Sequence, residues 1–140
     1  NFQTSMMMVR QIEFSLFDFL LHKNYDPAKP QSVQTVLDQV RQQVSVIVPP
    51  EFNRFQNGFS HIFAGGYSAG YYSYKWAEVL SADVFSRFEE DGIFNKNTGQ
   101  EFLNKLLSQG GTQDPDVLFK DFRGREPSIQ PLLKHCGIKA

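Results

Sequence analysis

Apolar side chains recur at helical spacing through the first part of the chain. Val9, Ile12, Leu16, Phe19 and Leu20 fall on one face and predict a helix from about Phe2 to His22. Phe14, Phe17 and Leu21 widen that face over most of the circumference, as in helices buried inside a larger structure. Such a helix needs cover, either from partner elements outside this chain or from self-association through Phe14, Phe17 and Leu21. Glu13 and Asp18 interrupt the apolar run, which also falls short of the ~20 residues that span a bilayer, so no membrane span is expected.

Asn24, Asp26, Pro27 and Pro30 then read as a loop. Ser32 is placed to cap a second helix in which Val33, Val36, Leu37, Val40, Val44 and Ile47 share a face, and Pro49 and Pro50 close it. From Phe52 to Gly66 the sequence is rich in Phe, Asn and Gly and reads as an irregular turn, followed by a third helix from about Tyr67 to Glu89. Thr98 and Glu101 form the spacing of a capping box before Phe102, Leu103, Leu106 and Leu107, with Gly110 and Gly111 as the stop. Asp114 and Pro115 start a short helix through Phe122, and Ser128 caps a last one ending at Gly137. No segment reads as a strand. The expected fold is all-α, with five or six helices joined by short connections.

The chain has 140 residues, room for one domain or part of one. A formal net charge of -1, with scattered basic residues, gives no reason to expect nucleic acid. The single cysteine, Cys136, forms no intrachain disulfide and fits a reducing, cytoplasmic setting. Asn1 is not an initiator methionine and no signal peptide precedes Phe2, so the sequence reads as a piece of a longer protein.

The candidate chemistry lies in the run from Ser60 to Tyr74. Around a helix, Tyr67, Tyr71 and Tyr74 share a narrow arc, with Glu78 continuing it. A neutral phenol can donate a hydrogen bond to an oxygen that gains negative charge during acyl transfer. Gly65 and Gly66 permit a hinge and close approach of a ligand's backbone, and His61 can donate to a carbonyl. A tyrosine stripe at helical spacing is more often core packing with the hydroxyls at the rim, which explains the same residues. The residues alone leave the two readings open. The three histidines, His22, His61 and His135, are far apart and no His-Glu-x-x-His occurs, so no metal site is expected in this chain.

Phe59-Ser60-His61-Ile62-Phe63-Ala64-Gly65-Gly66-Tyr67, continuing through Tyr71-Tyr72-Ser73-Tyr74-Lys75-Trp76, resembles the signature loop and helix of the thimet oligopeptidase/oligopeptidase A family. Arg87 to Asn95, Gly110-Gly111 and Phe122 to Pro127 resemble the family's C-terminal region in the same order, and the likeness is greatest to its bacterial oligopeptidase A members. The resemblance implies that residues 1–140 are the C-terminal helical part of the catalytic domain of a zinc endopeptidase acting on short oligopeptides. It also implies that the zinc ligands lie upstream, so that this piece binds no zinc, does not cut peptides alone, and has that upstream portion as its partner. Tyr67 and Tyr74 would then bind substrate and stabilise the tetrahedral intermediate. His61, Gly65, Gly66 and Tyr71 would line the substrate site. A stand-alone helical peptide-binding or interaction module without catalysis is the alternative.

Overall fold

The computed structural model describes residues 2–29 and 32–138; Asn1, and Pro30 of the expected loop, lie outside the described residues. Seven α-helices and no strand occur among them: α1 (Thr4–Asn24), α2 (Val33–Val44), α3 (Phe55–Gly58), α4 (Ser73–Asp91), α5 (Lys96–Phe102), α6 (Pro115–Arg123) and α7 (Gln130–His135). A 3₁₀ turn at Ser60–Ile62 follows α3, and a π-helical turn at Leu103–Leu107 extends α5. The chain divides into two compact units at Lys75 and Trp76.

In the first unit α1 packs on α2 around Phe14, Phe17, Leu21, Val36, Leu37, Val40, Phe59 and Ile62. Each fully buried side chain of this size contributes about 1.5–3 kcal/mol. Phe14 stacks on Phe55 with ring centroids 4.5 Å apart, and Phe55 meets Phe59 at 4.8 Å. The three residues expected to drive self-association are therefore buried in this unit's own core.

The buried face of α1 is centred on the widening residues, with Leu16 and Leu20 partly buried beside them. It carries Glu13, Phe14, Phe17, Asp18 and Leu21, while Ile12 and Phe19 remain 41% and 45% exposed. Hydropathy ranks Ile12 above Glu13, but a buried charge is tolerated when it is paired. Glu13 meets that condition: its carboxylate accepts from Arg41 Nε at 3.1 Å and from Ser45 Oγ at 2.6 Å, and Arg41 reaches on to Asn53.

Ser32 caps α2 as expected, its Oγ accepting from the Thr35 N–H at 3.0 Å. The helix ends at Val44, short of Ile47, because Ser45 turns extended and gives its hydroxyl to Glu13. Val46, Ile47 and Val48 are left exposed.

The second unit is organised around Asp83 and a cluster of rings. Phe88, Phe102 and Phe122 pack together, with Leu118 and Phe119 buried alongside Phe122. Asp83 is fully buried and accepts from both Arg125 Nη atoms at 2.7 and 2.5 Å and from the Ser128 N–H at 2.7 Å, with Arg123 Nε 3.3 Å away. Asn95, not Thr98, caps α5, its side chain accepting from the Asn97 and Thr98 amides. The expected capping box fails because its two members are engaged elsewhere: Thr98 Oγ1 donates to Asp91, and Glu101 pairs with Arg87 at 3.0 Å. Gly110 closes the helical stretch with φ 54°. Asp114 and Pro115 start α6 as predicted, and Gly124 ends it with its N–H on the Lys120 carbonyl at 2.7 Å. Ser128 stands just ahead of α7, accepting from the Gln130 N–H at 3.2 Å.

Candidate functional site

The Gly-Tyr segment lies within the first unit, and its backbone explains where the tyrosines go. After the 3₁₀ turn, the Ser60 carbonyl accepts from both Ala64 and Gly65, and the His61 carbonyl accepts from Tyr67 at 3.0 Å. The chain thus folds back on itself over Gly65. A Cβ at Gly65 would stand 2.7 Å from the His61 Cα and 2.9 Å from its carbonyl oxygen, so only glycine fits. Gly66 has φ 81°, which glycine adopts without cost.

The third helix was expected to begin at Tyr67. It begins at Ser73, and residues 68–72 form turns. Asp18 supplies the physical reason. Its Oδ1 accepts from the Ala69 N–H and its Oδ2 from the Tyr71 N–H, each at 2.9 Å, so two amides that a helix would bond to preceding carbonyls are taken by a side chain of α1. Ala69 sits at φ 56°, a left-handed conformation that interrupts any helix. Regular bonding starts only where Ser73 donates to Gly70 and Tyr74 to Tyr71.

The shared helix face predicted for Tyr67, Tyr71 and Tyr74 is therefore replaced by a turn feeding a helix, yet the rings still meet. Tyr67 and Tyr74 have centroids 4.9 Å apart and Tyr71 and Tyr74 5.1 Å. His61 stands 5.9 Å from Tyr71, 6.3 Å from Tyr67 and 6.4 Å from Tyr74, edge-on to Tyr71 and Tyr74. Tyr71 in turn packs against Phe59 and Phe14, which joins the cluster to the core. Tyr67 and Tyr74 keep 36% and 40% of their surface exposed, whereas Tyr71 is half-buried.

The three phenols differ in what their hydroxyls do. Tyr71 donates to Gln11 Oε1 at 3.1 Å, and burial raises its pKa above the ordinary phenol value. The neighbouring Tyr67 hydroxyl, then burial, then the charges Tyr67 and Tyr71 would carry as phenolates all raise the pKa of Tyr74. Tyr71 and Tyr74 thus stay protonated at neutral pH, the state in which a phenol can donate.

Two residues that sequence reading left out hold this arrangement. Asp18 was read only as an interruption of the apolar helix, and Gln11 was not singled out. The available signal was an acidic residue in the middle of an apolar run, since a carboxylate buried there must find donors. Here it finds two, the Ala69 and Tyr71 amides, while His22 Nδ1 lies 2.8 Å from the Asp18 carbonyl oxygen and 2.9 Å from Oδ1.

Among the described residues no group of three or more His, Cys, Asp or Glu side chains could hold a metal ion. What the cluster can supply is hydrogen bonding: exposed or half-exposed phenol and imidazole groups around a glycine turn. Among the described residues no helix is long and apolar enough to cross a membrane.

Residues 1–138 match the family description Peptidase family M3. The chain is 52% identical over 139 residues to oligopeptidase A of Salmonella typhimurium and 55% identical over 138 residues to that of Haemophilus influenzae, covering 99% of this chain in each case. It is 35% identical over 137 residues, 96% of its length, to saccharolysin of Saccharomyces cerevisiae. The chain spans 20% of the length of the two bacterial relatives and 19% of the yeast one. A match of this extent and identity assigns the fold and the family together: the chain belongs to peptidase family M3.

Proposed function

We propose that this chain is the C-terminal part of the catalytic domain of a cytoplasmic, zinc-dependent endopeptidase that hydrolyses short oligopeptides, and that it forms the substrate-binding wall of that enzyme. The zinc and its ligands belong to the remaining sequence, so this chain alone is expected not to cut peptides. Its own contribution is to bind and orient substrate and to stabilise charge.

The roles follow from the hydroxyl accounting. Tyr67 and Tyr74, half-exposed and adjacent, donate to the carbonyl oxygen as it becomes an oxyanion; neutral donors fixed in place before reaction are worth most at that moment. Tyr71 donates its hydrogen bond to Gln11 and presents an oxygen that can accept a peptide N–H. Gly65 lets the chain close on the His61 backbone, Gly66 has open space where a side chain would stand, so substrate backbone can approach there, and His61 donates to a neighbouring carbonyl.

The observation that carries the reading is the convergence of His61, Tyr67, Tyr71 and Tyr74 within one turn-and-helix unit of a family M3 chain. The test is Tyr74→Phe in the full-length protein. Removing one oxyanion donor lowers kcat by about 10²-fold, while KM and zinc content stay within about twofold, because the interaction is strongest in the transition state. Unchanged kcat refutes the role.

A further inference from the structure

We infer that Asp18 is a positioning residue for the tyrosine cluster, acting through the backbone of Ala69 and Tyr71; the inference rests on the peptidase reading above. Asp18 touches none of the groups assigned to substrate. Its side chain is fully buried in α1, and both oxygens are committed to the turn: Oδ1 to the Ala69 amide and Oδ2 to the Tyr71 amide. A carboxylate that receives two convergent backbone donors fixes their direction as well as their distance, because charge-assisted bonds are short and strongly directional.

Three further observations tie this bond pair to the geometry of the phenols. Gln11 lies seven residues before Asp18, two turns of helix, on the same side of α1, and it takes the Tyr71 hydroxyl at 3.1 Å. The same helix therefore grips Tyr71 at its amide and at the far end of its ring. Tyr71 is the ring against which Tyr74 and His61 pack, so its placement sets theirs. Ala69 holds φ 56°, a conformation that side chains avoid, and its amide is one of the two that Asp18 binds. Without the carboxylate, the segment has the option of extending α4 backwards, which would rotate Tyr71 away from Gln11. His22 Nδ1 lies 2.9 Å from Asp18 Oδ1 and 2.8 Å from the Asp18 carbonyl oxygen.

The experiment uses the full-length protein and reads amide hydrogen exchange together with steady-state kinetics on a short fluorogenic peptide. In the unaltered protein the Ala69 and Tyr71 amides should be protected at least about tenfold; unprotected amides overturn the inference. Asp18→Asn keeps the size but turns an NH₂ toward one of the two amides. It should speed exchange at Ala69 and Tyr71 by about tenfold or more while the Phe17, Leu37 and Val40 amides stay within about twofold. In the same variant kcat should fall about ten- to a hundredfold with KM within about threefold, the signature of misplaced transition-state groups. Faster local exchange with unchanged kcat overturns the positioning role, as does a loss of kcat accompanied by faster exchange through the whole core. If Asp18→Asn does not fold, Gln11→Met decides: a fall in kcat at constant KM supports the inference, and unchanged kcat overturns it. Tyr74→Phe measured alongside separates the two readings. If that variant keeps full turnover, the peptidase role of the cluster fails; if it loses turnover while Asp18→Asn does not, only the present inference fails.

Discussion

Gly65 is the position where one added methyl group should do the most damage. A Cβ there would lie 2.7 Å from the Cα, 2.9 Å from the carbonyl oxygen and 3.2 Å from the carbonyl carbon of His61. All three are backbone atoms, so no side chain can swing aside. Restoring ordinary contact requires His61 and Gly65 to separate by roughly 0.5–1 Å, and such overpacking costs about 1–3 kcal/mol. Replacing glycine restricts the unfolded chain, which returns about 0.4–1 kcal/mol. The net destabilisation of Gly65→Ala is therefore about 1–2 kcal/mol. Function should suffer more than stability, because the atoms that must move include the His61 carbonyl that accepts from Tyr67. A shift near 1 Å in groups that contact substrate can cost about 10²-fold in rate. The assay is turnover of a fluorogenic peptide by the full-length variant, with exchange at the Tyr67 amide read in parallel. Gly99→Ala is the control: nothing lies within 4 Å of its Cβ, it sits within α5, and the change should stabilise by about 0.5–1 kcal/mol without altering turnover. Gly65→Ala with unaltered turnover and unaltered Tyr67 amide protection would refute the steric reasoning.

Two other expectations follow from the ionisable groups. Burial pushes the Asp83 carboxyl up, but the Arg125 hydrogen bond, the Ser128 amide and the Arg125 and Arg123 charges together outweigh it and hold the pKa below the usual value. A depressed folded pKa means the contribution is complete above the unfolded value near about 3.9 and is lost as pH falls through the lower folded value. Thermal melts should therefore show stability dropping below about pH 4, and Asp83→Asn should cost about 3 kcal/mol at neutral pH, since it strips the buried Arg123 and its neighbour Arg125 of a charged partner. An acid limb as steep in Asp83→Asn as in the unaltered protein would count against this. Tyr74 should ionise above the ordinary phenol pH of about 10, and Tyr67→Phe should bring its titration down, because the Tyr67 hydroxyl is the largest cause of the shift; ring-carbon NMR of labelled tyrosine reads this directly.

The helical class, the capped start of α2 and the Asp114-Pro115 start of α6 were legible because each is a local matter of period and cap chemistry. The tyrosines and His61 were legible as a group because they are close in sequence, and a short segment brings them together under more than one backbone path. The start of α4 was not legible. Periodicity extends it back to Tyr67, but the amides that would continue it are taken by Asp18, a residue far away in the chain. The burial of Glu13 and Asp18 in α1 was not legible for a related reason: they go inside because Arg41, Ser45, Ala69 and Tyr71 await them, and none of those partners is visible from within the helix. The same holds for α5, where Asn95 wins the cap because Thr98 and Glu101 are drawn off by Asp91 and Arg87.

Replacing a helix face by a turn changes what the three phenols can offer. Each brings one proton. Tyr71 donates to Gln11, which leaves its oxygen only as an acceptor. Tyr67 and Tyr74, whose rings lie 4.9 Å apart and keep 36% and 40% of their surface exposed, can face an incoming group together. On the proposed reading, a hydrogen bond from either phenol to a developing oxyanion is roughly twice as strong as one to a neutral carbonyl, so the pair would favour the transition state over the bound substrate.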